Sequence, residues 1–425
     1  MKKQWIFGAL LLIGLLSTFG YRYLYKYVLI PDVTVAGFVR MGDGLGKQSV
    51  ELVKILKDDF DVHFQKTRSE FCKDEVPREL FPILRNKQRP LGKVVVFEDT
   101  LARPLACFEK TFHAMRNKQI RLTYSMFETS KIPPSFVHKL HTYFDAVVVP
   151  DSYNTVAYKA SGVNLPMFCL PLGIDLDPFV QAPLKKKKNT PFVFASFGSC
   201  EARKNYITTI RAFAKVFGNR SDVVLKINAR RGPPPEVIAV AQEIGRLGLD
   251  NVVFSVGPVS EEQYLKNFQE IDCYVSLSKG EGFSIPPREA MALGIPCIVS
   301  DQTAQSTICQ SGLVRSVPAN ILEKAHYETL PDDDYGDFFT VTIDDAAEAF
   351  LDMFENYESY LAKGAKARQW ATAYESKRLS TLYLSLIKPK KITLGTVNEI
   401  TEEGLITDSL SLYNKYLKLY PHLRP

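Results

Sequence analysis

The chain has 425 residues, of which 46% are hydrophobic and 24% charged; this is the composition of a globular protein with room for two domains of ordinary size. Its formal charge of +6 is mildly basic and suits a polyanionic ligand or an acidic membrane surface; no nucleic-acid motif is present and no nucleic-acid partner is expected. The seven cysteines are odd in number and form no C-x-x-C pair, so they read as reduced thiols of a cytosolic domain and not as a disulfide frame.

Lys2 and Lys3 precede an uncharged apolar run from Trp5 to Tyr21. As a helix, its ~17 residues would span roughly 26 Å, near the lower limit for a bilayer core. Tyr21, Tyr23, Tyr25 and Tyr27, interleaved with Arg22 and Lys26, suit the headgroup region. Residues 1–29 are therefore expected to be a membrane anchor and its flank. A cleaved signal peptide, for which Thr18 and Gly20 are small enough, and a helix packed on the protein are the alternatives.

Residues 30–180 open with a strand, Val33 to Val39, a glycine-rich turn, Gly42-Asp43-Gly44-Leu45-Gly46, and an amphipathic helix, Lys47 to Asp58. That is the opening of a Rossmann-like unit, without the full G-x-G-x-x-G spacing. Gly44 either contacts a ligand or only makes a tight turn. Further strands are expected at Val94 to Phe97, Ile120 to Ser125 and Ala146 to Val149. Glu98, Asp99 and Glu128 fall just past strand ends, where ligands of open α/β sheets bind; Glu98 and Asp99 serve equally well as helix-starting residues. Residues 181–190 hold four consecutive lysines, Lys185 to Lys188, a solvated linker or a patch for an anionic membrane.

Residues 191–365 alternate strands (Phe192 to Phe197, Val223 to Asn228, Val252 to Ser255, Cys273 to Ser278, Pro296 to Ser300) with helices. Such alternation implies a parallel, doubly wound sheet. Ser260 and Gln263 make a capping box. Asp344 to Lys363 and Ala365 to Ile387 read as helices. The tail, residues 389–425, ends in a helix from Ser409 to Tyr420 with Leu410, Tyr413, Leu417 and Tyr420 on one face, for docking on the body or on a membrane.

Two stretches carry chemistry. After Ser278 come Gly280, Glu281, Gly282, Phe283, Ser284, Pro286, Pro287 and Glu289. The glycines allow positive φ and close backbone approach, the prolines suit a first helical turn, and the free N–H groups there favour an anion such as a diphosphate. Glu281 in the loop and Glu289 in the first helical turn could accept hydrogen bonds from sugar hydroxyls. A plain βαβ crossover would use the same residues as a solvated loop charge and a dipole-stabilising carboxylate. Further upstream, Arg203 and Lys204 form a basic pair near the start of a helix through Phe217, which the dipole disfavours unless an anion binds; a solvated pair is the alternative. Lys226 sits inside an apolar strand and either nears a ligand or snorkels.

The stretch from Lys279 to Met291 resembles the E-x7-E signature of glycosyltransferase family 4, retaining enzymes that use nucleotide sugars. It departs in having Ser284 where glycine is usual, and Cys297 near the end. Phe192 to Asn205 resembles the family's glycine turn followed by R-K-N, with Ser199 where many members carry arginine. Softer similarities lie at Tyr124 to Thr129, Ala146 to Ser152 and Leu170 to Asp175, so the resemblance covers about residues 33 to 387. It implies an α/β fold of two Rossmann-like doubly wound domains (GT-B), here with an N-terminal membrane helix, and a helix at residues 366–388 crossing back to the first domain.

The resemblance also implies a hexose donor, UDP- or GDP-sugar, and a glycan or lipid-linked acceptor at a membrane. Lys204 would bind the donor diphosphate, Arg203 would assist, and Glu281 would orient the sugar. Glu289 would take the ribose, with Gly282, Phe283, Ser284, Lys226 and Gly44 near the donor. His113 is the nearest candidate for the family's cleft histidine. No metal is expected: His138 and His141 lack a third ligand, and the D-x-D tripeptides at Asp175 and Asp332 are rejected. No other cofactor is expected. A cytosolic donor pool would place residues 30 onward in the cytosol. The rival readings are a non-catalytic domain of this fold that binds a glycan or protein, and a sugar-nucleotide epimerase.

Overall fold

In a computed structural model the described residues are 30–40, 44–71, 76–85, 89–112, 119–327, 330 and 333–424. They form two compact units. The first comprises the described residues up to Tyr124, Thr142–Val147 and those from Leu382 onward; the second comprises Ser125–His141 and Val148–Thr381.

The first sheet has the order β2-β1-β3-β4-β5-β6, with β1 Val33–Val39, β2 Val62–Phe71, β3 Val94–Glu98, β4 Ile120–Tyr124, β5 Ala146–Val149 and β6 Met167–Cys169. β1 is buried throughout and pairs in parallel with β2 and β3, which explains its continuous apolar sequence. Helix α1, Gly44–Leu56, follows it. The strand β2 is polar in sequence and escapes a hydrophobic-pattern reading. It is held partly by charge, with Arg68 and Thr67 of β2 bonded to Asp99 at 2.5 and 2.6 Å.

In the second unit the sheet runs β12-β11-β10-β7-β8-β9. Its strands are β7 Phe192–Gly198, β8 Val223–Ala229, β9 Val252–Val256, β10 Cys273–Ser276, β11 Cys297–Asp301 and β12 Arg315–Pro318. Registers are parallel throughout. Helices α2 Tyr206–Phe217, α3 Glu261–Gln269 and α4 Ile285–Ala292 lie among the crossovers. Phe192, Phe194, Phe213, Phe217 and Phe350 anchor one buried layer. The chain builds outward from β7 through β8 to β9, then returns beside β7 with β10 and builds the other way. That reversal is a switch point at the carboxyl ends of β7 and β10, the usual ligand position in such sheets.

The helix expected from Ala365 to Ile387 is broken in two: α5, Gly364–Ala371, a 3-10 turn at Thr372–Tyr374, and α6, Ser376–Ile387. The break falls where Glu375 pairs as an isolated β-bridge with Ile174. The tail adds a small sheet and a helix α7, Leu410–Leu419, capped by Ser409, whose Oγ accepts from the Leu412 N–H. The expected apolar face is corrected. Leu412, Tyr416 and Tyr420 are buried, and Leu410 is 59% exposed. The reason is polar: the Tyr416 and Tyr420 hydroxyls donate to the Leu386 and Ile387 carbonyls at 2.6 and 3.0 Å, satisfying the otherwise open end of α6.

Among the described residues no helix is long and apolar enough to cross a membrane. The expected anchor at residues 1–29, the loop glycine Gly42 and the candidate His113 lie outside the described residues.

Candidate functional site

Two loops meet at the switch point of the second sheet. After β7 comes a 3-10 turn, Ala202–Lys204, ending at Asn205; after β10 comes the loop that carries Glu281. The Lys279 N–H donates to the Arg203 carbonyl at 2.7 Å and ties the loops together. The Lys204 ammonium lies 2.5 Å and the Arg203 guanidinium 3.2 Å from the two oxygens of Glu281. Arg203 also faces Glu201 at 3.1 Å and Glu128 at 3.4 Å. Arg203 and Lys204 thus precede α2 in a separate turn, and protein carboxylates supply the negative charge that the pair requires.

The electrostatics follow from that packing. Burial on its own would raise the Glu281 carboxyl; Lys204 and Arg203 overcome it and hold the group down at about 2. Burial pushes Glu128 up against the pull of Arg203. Arg203 stays charged because Glu128, Glu281 and Glu201 outweigh its own desolvation.

A buried polar network shapes the Glu281 loop. The Glu281 N–H donates to Thr303 Oγ1 at 2.9 Å, and the same hydroxyl lies 2.9 Å from the Glu281 carbonyl. Gln305 Nε2 reaches Ser276 Oγ at 2.6 Å and Ser284 Oγ at 2.9 Å, while Ser300 donates to its Oε1 at 2.8 Å. Among the described residues, the non-glycine positions with positive φ are Asn205 at 58°, Ser284 at 68° and Thr303 at 42°. All three flank this loop. Such conformations are strained for residues with a Cβ and cluster at functional sites.

The expected role of the loop glycines is corrected. Neither Gly280 nor Gly282 has a positive φ; that conformation falls on Ser284. The glycines are required by close approach of residues 126–128. A Cβ on Gly280 would lie 1.9 Å from the Glu128 carbonyl oxygen, and one on Gly282 would lie 2.8 Å from Met126 Cγ. The Gly282 carbonyl accepts from Asn154 Nδ2 at 2.8 Å. Phe283 is buried, and the Ser284 hydroxyl is engaged by Gln305.

Glu289 is the fifth residue of α4, one turn later than expected, because the helix begins at Ile285. It is 1% exposed and accepts from the Tyr264 hydroxyl at 2.7 Å. Lys226 is not brought to the cluster. It sits mid-strand in β8, three residues before that strand's carboxyl end, and faces Glu270 at 3.6 Å. Gly44 is the first residue of α1, in the first unit.

Glu98 and Asp99 do not start a helix, since the next one is Leu105–Phe112. Asp99 is held by Arg68. Glu98 is buried with neither carboxyl oxygen bonded among the described residues, and burial together with Asp99 pushes it well above its ordinary value. Of the D-x-D aspartates, Asp177 pairs with Lys377 at 2.5 Å and Asp334 with Lys324 at 2.9 Å. Sequence reasoning noted Glu128 only as a strand-end residue and missed Glu201, Asn154, Tyr264, Thr303, Gln305 and Arg288. Glu201 precedes the 3-10 turn without making a capping bond, and Arg288 bonds carbonyls only four and five residues before it, in a contact that no short motif signals; the others act through partners far away in the chain.

Residues 181–315, which include Arg203, Lys204, Glu281 and Glu289, match a family model described as glycosyl transferases group 1. No curated protein matches in sequence. Solved structures match in fold. HepE from Anabaena, in complex with UDP and glucose, is 13% identical with a TM-score of 0.61, covering 84% of this chain and 99% of that one. Sucrose-phosphate synthase from Thermosynechococcus elongatus is 15% identical with a TM-score of 0.60, covering 83% and 98%. A glycosyltransferase from Rickettsia africae is 14% identical with a TM-score of 0.59, covering 84% and 97%. The likeness is one of fold: two Rossmann-like α/β units with parallel sheets, as in GT-B proteins.

Proposed function

We propose that this chain is a retaining glycosyltransferase whose second unit grips a UDP- or GDP-linked hexose. One observation carries the reading: Arg203 and Lys204 meet Glu281 at the sheet's switch point, inside the stretch that matches the group 1 model. The likeness in fold to HepE, a protein solved with UDP and glucose, supports it. Lys204 and Arg203 neutralise the diphosphate as the bond from the anomeric carbon to its oxygen breaks. The first N–H groups of α4 add a further positive end. Glu281, released from the cations by the incoming phosphates, orients the sugar. Glu289, held by Tyr264, takes the ribose; the two carboxylates are the ends of an E-x7-E motif.

The acceptor in this reading is a glycan or lipid-linked sugar at a membrane, with residues 1–29 as the anchor and the two units in the cytosol. Calorimetry with UDP- and GDP-sugars, followed by donor turnover in Glu281→Ala and Lys204→Ala, tests the proposal. Binding of one donor class and loss of turnover in both variants is expected. No nucleotide binding, or binding and turnover untouched by either change, would sink it. Binding without turnover across a broad acceptor panel would favour a non-catalytic domain of the same fold.

A further inference from the structure

Arg288 is the largest fully buried side chain of the described residues, and the cluster above does not use it. It lies one residue before Glu289 on α4, a helix whose neighbouring positions Ala290, Met291 and Ala292 are buried and small or apolar. Its guanidinium carbon sits 3.9 Å from the centroid of the Phe283 ring, 4.5 Å from that of Tyr374 and 5.6 Å from that of Trp370. Burying a charge under aromatic rings is costly compared with an apolar side chain of similar size. Two of its nitrogens, Nε and Nη2, meet no acceptor in hydrogen-bond geometry among the described residues, although the Tyr374 hydroxyl lies near enough to favour the charge. The third, Nη1, donates to both the Phe283 and the Ser284 carbonyls, the latter at 3.0 Å.

Those two carbonyls decide what Arg288 does. In a trans peptide the C=O and the following N–H point in opposite directions. Drawing the Phe283 and Ser284 carbonyls onto one nitrogen therefore turns the Ser284 and Ile285 N–H groups the other way. Ile285 is the first residue of α4, so its N–H has no intrahelical acceptor. Ser284 holds a φ of 68° that few residues with a Cβ adopt unaided. Gln305 fixes it from the side chain and Arg288 from the backbone.

We infer that Arg288 is a positioning residue that aims the Ser284 and Ile285 N–H groups at the terminal phosphate of a nucleoside diphosphate. The inference rests on the donor reading above. It predicts a selective effect. A nucleoside monophosphate, which lacks the second phosphate, gains little from these N–H groups, and a diphosphate gains much.

The experiment is calorimetry of the full chain with UDP and UMP, and with GDP and GMP. Arg288→Met removes the donor, and Arg288→Lys keeps the charge and hydrogen-bonding capacity. Thermal unfolding and the fluorescence of Trp370 report whether each variant stays folded. Charge-assisted hydrogen bonds of this kind are worth about a ten- to hundred-fold change in affinity. Diphosphate affinity in Arg288→Met is expected to fall by that factor, monophosphate affinity by less than about three-fold, and Arg288→Lys to lie between. Should Arg288→Met not fold, Arg288→Lys carries the test, with a smaller loss confined to the diphosphate. A folded variant in which mono- and diphosphates weaken equally, or neither weakens, overturns the inference and leaves the donor reading standing. A wild-type protein that binds none of the four nucleotides overturns the donor reading and the inference with it.

Discussion

Glu281→Gln separates the electrostatics of the site from its shape. The side chain is 8% exposed and bonded to Lys204 and Arg203, and glutamine preserves its volume. The carboxyl falls from an ordinary 4.5 to about 2 in the folded protein. At about 1.4 kcal/mol per pH unit, that difference corresponds to roughly 3 kcal/mol from the carboxylate, and burial that pulls the Lys204 ammonium down offsets part of it. The sign follows from the depressed value: the contribution is complete above 4.5 and disappears as pH falls through about 2. Urea unfolding at pH 7 should therefore place the variant about 1–3 kcal/mol below wild type, with the gap closing as the pH is lowered. UDP should also raise the melting temperature of the variant more than that of wild type, because the diphosphate then has no carboxylate to displace. A variant as stable as wild type at pH 7, or a gap that is constant with pH, would refute the reasoning.

Gly280→Ala and Gly282→Ala should differ in severity. The first sets a Cβ 1.9 Å from a backbone oxygen and the second 2.8 and 2.9 Å from Cγ and Cβ of Met126, which can move only with some backbone shift, so a loss of about 3 kcal/mol or more is expected against about 1–3 kcal/mol; a Gly282→Ala melting temperature below that of Gly280→Ala would contradict the assigned contacts. Glu98→Met should stabilise the protein at pH 7 by about 1–3 kcal/mol, since it removes a buried carboxyl with no partner among the described residues. The folded group holds its proton above the unfolded value of 4.5, so wild-type stability declines as pH rises past that value and the variant should lose this slope in urea titrations from pH 4 to 8; a less stable variant would show that the carboxyl is paired in solution. Tyr264→Phe leaves Glu289 buried without its 2.7 Å donor and should lower stability by about 1–3 kcal/mol and raise the donor KM; an unchanged KM would detach Glu289 from the donor.

Much of the fold is legible because buried parallel strands are apolar from end to end. β1 and β5 match the expected spans residue for residue, and five strands of the second sheet agree to within two residues at either end, while its edge strand β12, Arg315–Pro318, is not among the expected ones. β2 is not legible, because its polar residues gain their place from Asp99, which lies about thirty positions away. The site divides in the same way. Arg203, Lys204 and Glu281 are visible through short motifs, and the topology brings them together. Glu128 and Tyr264 become functional candidates only through partners that the sheet order delivers, whereas Arg288 bonds carbonyls four and five residues before it in a contact that no short motif signals. Lys226 shows the converse: an isolated lysine in a strand has a readable position along the chain, but the side of the sheet it faces, and so its pairing with Glu270, does not follow from the run that holds it.

The three left-handed residues explain why this site tolerates strain where glycine would relieve it. Each puts a polar side chain to use that glycine lacks: Asn205 Nδ2 donates to the Leu277 carbonyl at 3.1 Å, Ser284 Oγ accepts from Gln305, and Thr303 Oγ1 spans the backbone of Glu281. The left-handed conformation costs each of them roughly 1 kcal/mol or more, and a single buried hydrogen bond returns about the same. Net stability is therefore nearly indifferent to the choice between these residues and glycine. What differs is stiffness. Glycine would leave the ends of β7, β10 and β11 joined by freely rotating links, whereas the bonded side chains hold each loop in one conformation before a ligand arrives. In the proposed function the site matches two phosphates and a sugar to within a fraction of an ångström, and it then gains more from that preorganisation than from relaxed backbone. The same argument accounts for a serine where the resembling family usually has glycine: Ser284 carries the hydroxyl that Gln305 holds, and Arg288 holds its carbonyl from the other side.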